Sequence, residues 1–268
     1  MVASTLFPGV ALVTGAASGI GRATARLFAR EGCRRLVLVD RNVSGLQETQ
    51  SMLSFSHADV STLITETDIR CLESVSAMVK ASVERFKRID YAVNAAGLMS
   101  IPSRSHETTL EEFDRINSVD YRGLWLVARE VIGQMRAQEP LETHDGRPGN
   151  RGSLVNVSSV LGQVARPNAA PYCGAKGAVI SMTQADAIDY SKDNIRVNCV
   201  CPGVISTPMV LPNVGYYEPE IMMQTLQSSI SRLGTADEVA DCILFLSSSK
   251  ASFVQGAAMV VDGGYTIR

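Results

Sequence analysis

Residues 10–21 read VALVTGAASGIG, and this segment indicates the architecture of the chain. Its first five residues form a short apolar run, Gly15, Gly19 and Gly21 follow, and an amphipathic run from Arg22 to Arg30 comes next. A buried strand, a glycine-rich turn and a helix start are typical of a dinucleotide site, because glycine lets backbone approach a pyrophosphate and the helix N-terminus supplies free N–H groups. The spacing is G-x-x-x-G-x-G rather than G-x-G-x-x-G, so the glycines alone are a weak signal.

A carboxylate follows at the position where a dinucleotide site needs one. The apolar run Arg35 to Asp40 ends in an acid about 20 residues after the last glycine. There Asp40 would accept hydrogen bonds from the adenosine ribose hydroxyls and repel a 2′-phosphate, so the sequence predicts NAD rather than NADP. Arg41 could instead turn toward a phosphate, and Ser18 adds no positive charge to the turn. A solvent-exposed acid without a role is the alternative for Asp40.

A second group of residues indicates proton transfer. Ser159, Tyr172 and Lys176 are spaced Ser-x12-Tyr-x3-Lys, and on a helix Tyr172 and Lys176 share one face. A free phenol has a pKa of about 10. An ammonium about 5 Å away, at an effective dielectric of roughly 20, favours the phenolate by on the order of 3 kcal/mol, or about two pKa units. The lysine would bring the tyrosine into the range for exchanging protons with an alcohol or carbonyl. A solvated helix start is the alternative.

Several motifs in a fixed order make the chain similar to the short-chain dehydrogenase/reductase family, of the ordinary single-domain type. They cover nearly the whole chain: residues 14–21 (TGAASGIG), Asp68 in TDI, residues 94–97 (NAAG), the Ser159, Tyr172 and Lys176 trio, and residues 202–208 (PGVISTP). The resemblance implies a nicotinamide-dependent alcohol dehydrogenase or ketone reductase.

The resemblance also implies roles for individual residues. Tyr172 would act as the general base, Lys176 would lower its pKa and hold the nicotinamide ribose, and Ser159 would bond the substrate oxygen. Asp68 would lie near adenine, Asn94 and Gly97 would wall the cofactor, and Ile205 and Thr207 would hold the nicotinamide carboxamide. The expected cofactor-binding residues are Gly15, Ser18, Gly19, Ile20, Gly21, Asp40, Asp68, Asn94, Gly97, Tyr172, Lys176, Ile205 and Thr207.

One position departs from the family's pattern. The family has an asparagine in an N-x-x-G stretch at the break of a long helix, where it binds a water that relays protons to the lysine. Alignment on Gly123 places Asp120 there, and Asn117 is three residues too early. A carboxylate accepts a hydrogen bond but cannot donate one as an amide does. Asp120 would therefore over-stabilise the Lys176 ammonium or act as an alternate proton acceptor, unless it is a tolerated near-isostere.

Composition predicts one large α/β core. The chain has 268 residues, of which 46% are hydrophobic and 19% charged, and a formal charge of −2. The sequence has no concentration of basic residues that would indicate a nucleic-acid partner. No apolar run approaches 18 residues and no charged leader precedes the first strand, so we expect a cytoplasmic protein without a membrane partner. The six cysteines lack metal-ligand spacing and are expected to be reduced, and His57, His106 and His144 suggest no metal site.

Helix and strand patterns alternate along the chain, which predicts a doubly wound parallel sheet of the Rossmann type, with helices on both faces, in a single domain spanning residues 1–268. After Asp40 we expect helices after Asn42 and at residues 72–87, and strands at residues 61–67 and 89–94. A long helix at residues 110–138 has a predicted break near residues 120–123, and a charged loop follows at residues 139–152. By family resemblance, the helices before this loop and after Pro171 would pair with their copies in a homodimer or homotetramer.

Residues 204–232 are the predicted substrate lid, because loops after strand C-termini border the cofactor in this architecture. The irregular stretch 211–219 (LPNVGYYEP) precedes a helix with Met222, Met223 and Leu226. Methionine and tyrosine there suggest a largely apolar small-molecule substrate, although ordinary core packing is the alternative. The loop at residues 139–152 and the lid are similar to those of microbial secondary-metabolism members, which implies a terpenoid, polyketide or sterol-like alcohol.

Two functions from different classes remain open. The first is NAD-dependent oxidation of a secondary alcohol, or the reverse reduction. The second is a non-redox role, as an isomerase or lyase or as a cofactor-binding scaffold without turnover. The intact Ser159, Tyr172 and Lys176 favour the first, and Asp120 is the only feature that favours the second.

Overall fold

The structure is a computed structural model that describes residues 5–210 and 227–267. The part of the predicted lid at residues 211–226, with Met222, Met223 and Leu226, lies outside the described residues. In chain order the strands are β1 (Val10–Thr14), β2 (Arg35–Asp40), β3 (Ser61–Glu66), β4 (Tyr91–Asn94), β5 (Gly152–Val157), β6 (Ile195–Pro202), β7 (Ile205–Ser206), β8 (Gly234–Thr235) and β9 (Ala258–Val261). The α-helices are α1 (Gly19–Arg30), α2 (Val43–Ser56), α3 (Leu72–Phe86), α4 (Leu110–Asn117), α5 (Leu124–Arg136), α6 (Ala170–Asp189) and α7 (Ala236–Ser247).

Among the described residues, seven strands form one parallel sheet in the order β3-β2-β1-β4-β5-β6-β9. The chain runs outward from β1 to β3, then returns to place β4 on the other side of β1. This reversal leaves a crevice at the carboxyl ends of β1 and β4, where doubly wound sheets bind their ligands. The predicted Rossmann-type sheet in a single domain is confirmed.

The central strands are buried because helices cover both faces of the sheet. One core cluster packs the sheet against α1, α2 and α7, and the other packs it against α3 and α5. Successive residues alternate between the two: Leu12 belongs to the second cluster, and its neighbours Ala11 and Val13 belong to the first. The carboxyl ends of the strands are therefore held rigidly at one edge.

The predicted break in the long helix is confirmed, and it takes the form of a wider turn. Residues Ser118–Gly123 form one stretch of π-helix between α4 and α5, and we call it the π-turn. A Cβ on Gly123 would lie 2.9 Å from the Ile69 side chain and from the Ser118 carbonyl oxygen, so the turn packs against the loop between β3 and α3 only with glycine.

In the described ranges, none of the helices is long and apolar enough to cross a membrane.

Candidate active site

The turn between β1 and α1 can be built only with glycine at two positions. Gly15 has a φ of +70°, and a Cβ there would lie 2.8 Å from backbone atoms of Ala95 and Ala96. A Cβ on Gly21 would lie 2.2 Å from the Gly15 carbonyl oxygen, so α1 approaches the turn at backbone distance. Both positions keep side-chain atoms out of the crevice.

The start of α1 is suited to an anion. Ser18 is the N-cap residue, but its side chain makes no capping hydrogen bond, and the first turn of the helix carries no acid. The N–H groups of that turn and the helix dipole therefore favour negative charge. A Cβ on Gly19 would lie 3.5 Å from the Thr207 side chain, so the segment after β7 passes directly over the turn.

Arg22 braces the glycine turn from behind. Its guanidinium donates to the Ala17 carbonyl, to the Thr49 hydroxyl (3.0 Å) and to the Glu48 carboxylate (2.8 Å). Thr49 in turn donates to the Ala16 carbonyl at 2.8 Å. The sequence analysis missed this brace, because its partners on α2 lie more than twenty residues away and no local pattern marks them.

A cavity at the carboxyl ends of β1, β2 and β4, which we call the cofactor cleft, brings together most of the predicted cofactor-binding residues. Those that line it are Gly15, Ser18, Gly19, Ile20, Gly21, Asp40, Asp68, Gly97 and Thr207. Residues from five separate stretches of sequence meet in this one cavity.

Asp40 ends β2 with its carboxylate against the glycine turn. One oxygen accepts the Ala17 N–H at 3.2 Å, and the other accepts the Asn42 N–H at 3.0 Å. Arg41, which is exposed, also lines the cleft. The carboxylate thus borders the cleft, and a cation stands next to it.

Asp68 also lines the cleft, but Arg70 occupies its carboxylate. The Arg70 guanidinium donates to both oxygens, at distances of 2.6 to 3.0 Å. These hydrogen bonds lower the pKa of Asp68 in spite of its partial burial. Arg70 is a cleft residue that the sequence analysis did not single out; an arginine two residues after the aspartate was the available signal.

Asn94 is not where the family resemblance suggested. It lies at the end of β4, is 2% exposed and lines neither of the two cavities described here. Its side-chain amide donates to Asn156 at 2.9 Å, and Asn156 donates to the Thr183 hydroxyl at 2.9 Å. Asn94 therefore fastens β4 to β5 and α6 behind the cleft instead of forming its wall.

A second cavity, the reaction pocket, opens beside the cofactor cleft and shares Ile20, Gly97 and Thr207 with it. Ser159, Tyr172 and Lys176 line this pocket, together with Ile205. The predicted trio therefore converges, and it does so next to the cleft. Of the described parts of the predicted lid, the residues that line the pocket are Val204, Ile205, Thr207, Met209 and Val210.

Local structure places each member of the trio. Ser159 follows β5 and caps a short 3-10 helix, where its hydroxyl oxygen accepts the Leu161 N–H at 3.1 Å. Tyr172 and Lys176 lie one turn apart near the start of α6, on the same face as predicted. The Lys176 ammonium is 5.5 Å from the centroid of the Tyr172 ring.

Asp120 faces Lys176 from the π-turn. Its Oδ2 is 3.3 Å from Lys176 Nζ, and both side chains are buried. The Leu98 N–H donates to Oδ1 at 2.8 Å, whereas Oδ2 has no hydrogen-bond partner within the described parts of the chain. A Cβ on Gly97 would lie 3.4 Å from Nζ, so the chain at Gly97 passes directly over the ion pair.

Burial sets the direction of the pKa shifts in this group. It raises the pKa of Tyr172; Lys176 and Ser159 oppose that shift, and Asp120 adds to it. Lys176 thus acts on the phenol as predicted, but the net direction is upward, because local spacing says nothing about burial. Burial lowers the pKa of Lys176, yet attraction to Asp120 and Tyr172 leaves it above the ordinary value. Burial also raises the pKa of Asp120, against the pull of Lys176.

Among the described residues, no three His, Cys, Asp or Glu side chains are grouped so that they could hold a metal ion. The six cysteines are all free thiols. The site is therefore made of hydroxyl, phenol, ammonium and carboxylate groups.

Comparisons with known proteins agree with this geometry. Residues 15–266 match the family described as Enoyl-(Acyl carrier protein) reductase. The chain is 37% identical to 2-(R)-hydroxypropyl-CoM dehydrogenase of Xanthobacter autotrophicus, over 96% of this chain and 98% of that protein. It is 36% identical to short-chain dehydrogenase srdC of Neurospora crassa, over 97% of each. The crystal structure of 3-ketoacyl-(acyl-carrier-protein) reductase from Brucella melitensis complexed with NADH superposes with a TM-score of 0.83 at 31% identity, over 98% of this chain and 100% of that chain.

Proposed function

The chain belongs to the short-chain dehydrogenase/reductase family of oxidoreductases, and from that premise we propose that it transfers a hydride between NAD(H) and a secondary alcohol or its ketone. One observation carries the proposal: Ser159, Tyr172 and Lys176 line a pocket that shares residues with the cofactor cleft. A substrate oxygen held by the trio would place its carbon beside the cleft, where the nicotinamide is needed.

The residues of the cleft fit a dinucleotide. A Cβ would fill the cradle at Gly15 and Gly21, and the start of α1 is free of acid. We propose that the first turn of α1 meets the pyrophosphate, that Asp40 bonds the adenosine ribose, and that Thr207 and Ile205 border the nicotinamide. The bound cofactor supplies nicotinamide C4 as the hydride acceptor or donor.

The trio would handle the proton. In the oxidative direction Tyr172, as phenolate, takes the proton of the substrate hydroxyl, and Lys176 stabilises that phenolate. The Ser159 oxygen accepts the Leu161 N–H, and we propose that its hydroxyl hydrogen is donated to the substrate oxygen when substrate binds. In the reductive direction Tyr172 returns the proton to the carbonyl oxygen.

We propose that Asp120 is a positioning residue that acts through Lys176. Its carboxylate is 3.3 Å from the ammonium, and the Leu98 N–H holds it in place. A buried carboxylate fixes the ammonium near the phenol, but it also partly neutralises the charge that favours the phenolate. Asp120 therefore has two opposite effects on proton transfer: it positions the Lys176 ammonium, and it weakens the effect of that ammonium on the Tyr172 phenol.

NAD is the cofactor we propose, and Asp40 supports this choice. The carboxylate borders the cleft where a 2′-phosphate would meet like charge. Arg70 does not offset this repulsion, because its guanidinium is bound to Asp68. Arg41 is the residue whose charge favours NADP.

We propose a largely apolar substrate, of the terpenoid, polyketide or sterol-like kind made in secondary metabolism. The lining of the reaction pocket supports an apolar substrate, since Leu98, Met99, Val160, Leu161, Met209 and Val210 contribute to it.

We also propose a homodimer or homotetramer, because α4, α5 and the π-turn between them expose Phe113, Tyr121 and Trp125. Light scattering after gel filtration tests the assembly.

The experiment that tests the activity follows absorbance at 340 nm with a panel of secondary alcohols and NAD, and with the matching ketones and NADH. Each assay is repeated with the phosphorylated cofactor. The proposal expects turnover of at least one pair and loss of that turnover in Tyr172→Phe. Cofactor binding without turnover of any pair would favour the second candidate, a non-redox or scaffold role, for which the carboxylate of Asp120 beside Lys176 is the supporting observation.

A further inference from the structure

We infer that Arg166 determines substrate specificity by binding a carboxylate on the substrate, so that the preferred alcohol or ketone is an apolar molecule with one acidic group. The inference rests on the proposed function and deepens it, because Arg166 lines the same reaction pocket as Ser159 and Tyr172. It narrows the substrate class from apolar alcohols to hydroxy and oxo acids with an apolar body.

Arg166 is placed by the loop between the short 3-10 helix (Val160–Gly162) and α6. It is half-buried, so its guanidinium is neither fully solvated nor sealed in the core. Most of its neighbours on the pocket wall are apolar. A planar cation at the edge of an apolar cavity can bind a carboxylate through two parallel hydrogen bonds, with less screening than on an open surface.

The charges on the pocket wall favour an anion. Lys176 and Arg166 are the charged side chains of the described lining, and that lining includes no Asp or Glu. Lys176 is compensated from behind, because Asp120 is 3.3 Å from its ammonium. An anion that enters the pocket would therefore meet Arg166 on a described wall that carries no acid to repel it. Arg166 has interactions of its own, but five N–H donors allow it to bind a carboxylate as well.

Arg166 also lies near the reacting group. Its positive charge helps to lower the pKa of the Tyr172 phenol, against the larger effect of burial. Arg166 and Tyr172 line the same pocket, so a substrate held at the phenol would lie close to the guanidinium. The acidic group would thus be separated from the reacting carbon by a short apolar spacer.

The test uses oxo acids of five to ten carbons, including 4-oxocyclohexanecarboxylate, each matched with its methyl ester, and NADH and NADPH as reductants. We expect the acids to be preferred by at least about tenfold in kcat/KM. Arg166→Met should lower kcat/KM for the acid at least tenfold and change that for the ester less than threefold, whereas Arg166→Lys should recover part of the preference. Arg104→Met removes an exposed arginine that does not line the pocket and is the matched control.

An equal fall for acid and ester in Arg166→Met would mean that Arg166 acts only on Tyr172, and it would overturn the inference. Reduction of esters and neutral ketones with no preference for acids would overturn it as well, while leaving the proposed function intact. Reduction of no ketone in either form, with cofactor binding retained, would overturn both. A KM effect confined to the acids is the result that supports recognition.

Discussion

The ammonium of Lys176 lies 3.3 Å from the carboxylate of Asp120 and 5.5 Å from the centre of the Tyr172 ring. One cation is thus shared between an acid that binds it and a phenol that needs it. Asp120 raises the pKa of both Lys176 and Tyr172. The pH dependence of the reaction should consequently depend on a residue that does not touch the substrate.

Asp120→Asn should move the pH profile of alcohol oxidation to lower pH. Oxidation needs the phenolate, so kcat/KM rises as pH approaches the pKa of Tyr172. Removing the carboxylate removes one cause of the raised pKa and leaves the Lys176 charge to act on the phenol. The measurement is kcat/KM against pH for both proteins.

The control for this shift is Asp114→Asn, which removes an exposed carboxylate on α4. It should leave the profile in place. The sign of the expected shift requires Asp120 to be ionised, which the neighbouring ammonium and the Leu98 N–H favour. A rise displaced to higher pH in Asp120→Asn would contradict the electrostatic account.

Tyr172→Phe should reduce kcat by about 100-fold or more and leave NAD affinity within a few-fold. In the proposed mechanism the phenol acts on the reacting oxygen, and Tyr172 does not line the cofactor cleft. Lys176→Ala should impair both turnover and binding, because we propose that its ammonium also holds the nicotinamide ribose. Calorimetry and initial rates separate the two effects. Retention of more than a few per cent of the rate in Tyr172→Phe would exclude its role in proton transfer.

NAD should bind at least tenfold more tightly than NADP, a difference of about 1.4 kcal/mol. Asp40→Asn should reduce this preference, and Arg41→Ala should increase it. Since Asp40 also accepts the Ala17 N–H, thermal unfolding of Asp40→Asn is measured alongside, to separate lost repulsion from a loosened turn. Equal affinity of the unaltered protein for both cofactors would show that Arg41 governs the ribose site.

Gly21→Ala should weaken cofactor binding at least tenfold and lower the melting temperature. Its Cβ would lie 2.2 Å from the Gly15 carbonyl oxygen, and a backbone displacement of this kind costs about 1–3 kcal/mol. Gly133→Ala on α5 is the matched control, because a Cβ there meets nothing within 4 Å. That change should stabilise the protein by up to about 1 kcal/mol and leave binding unaltered. Equal melting temperatures for the two variants would contradict the close approach.

The sequence predicted what depends on neighbouring residues. The strand at Val10–Thr14, the glycine turn and the shared face of Tyr172 and Lys176 all follow from periodicity and short spacing. The same patterns predicted the doubly wound sheet, because each strand and helix has a local signature.

Features that depend on distant contacts could not be predicted in this way. Asn94 bonds Asn156, 62 residues along the chain, so its place behind the cleft is a property of the sheet. The upward shift in the pKa of Tyr172 comes mainly from burial, which a spacing does not reveal. Arg166 carries no motif, and only the fold brings it to the reaction pocket.

The π-turn has a consequence for engineering. A regular α-helix through residues 118–123 would have more favourable backbone geometry than the π-turn. Deleting one residue would convert the π-turn into such a helix. Such a change would rotate the residues of the turn about the helix axis, and with them Asp120, whose carboxylate now faces Lys176. A variant that resists heat because this segment has been straightened would therefore lose activity. A screen for heat resistance alone would not detect that loss of activity.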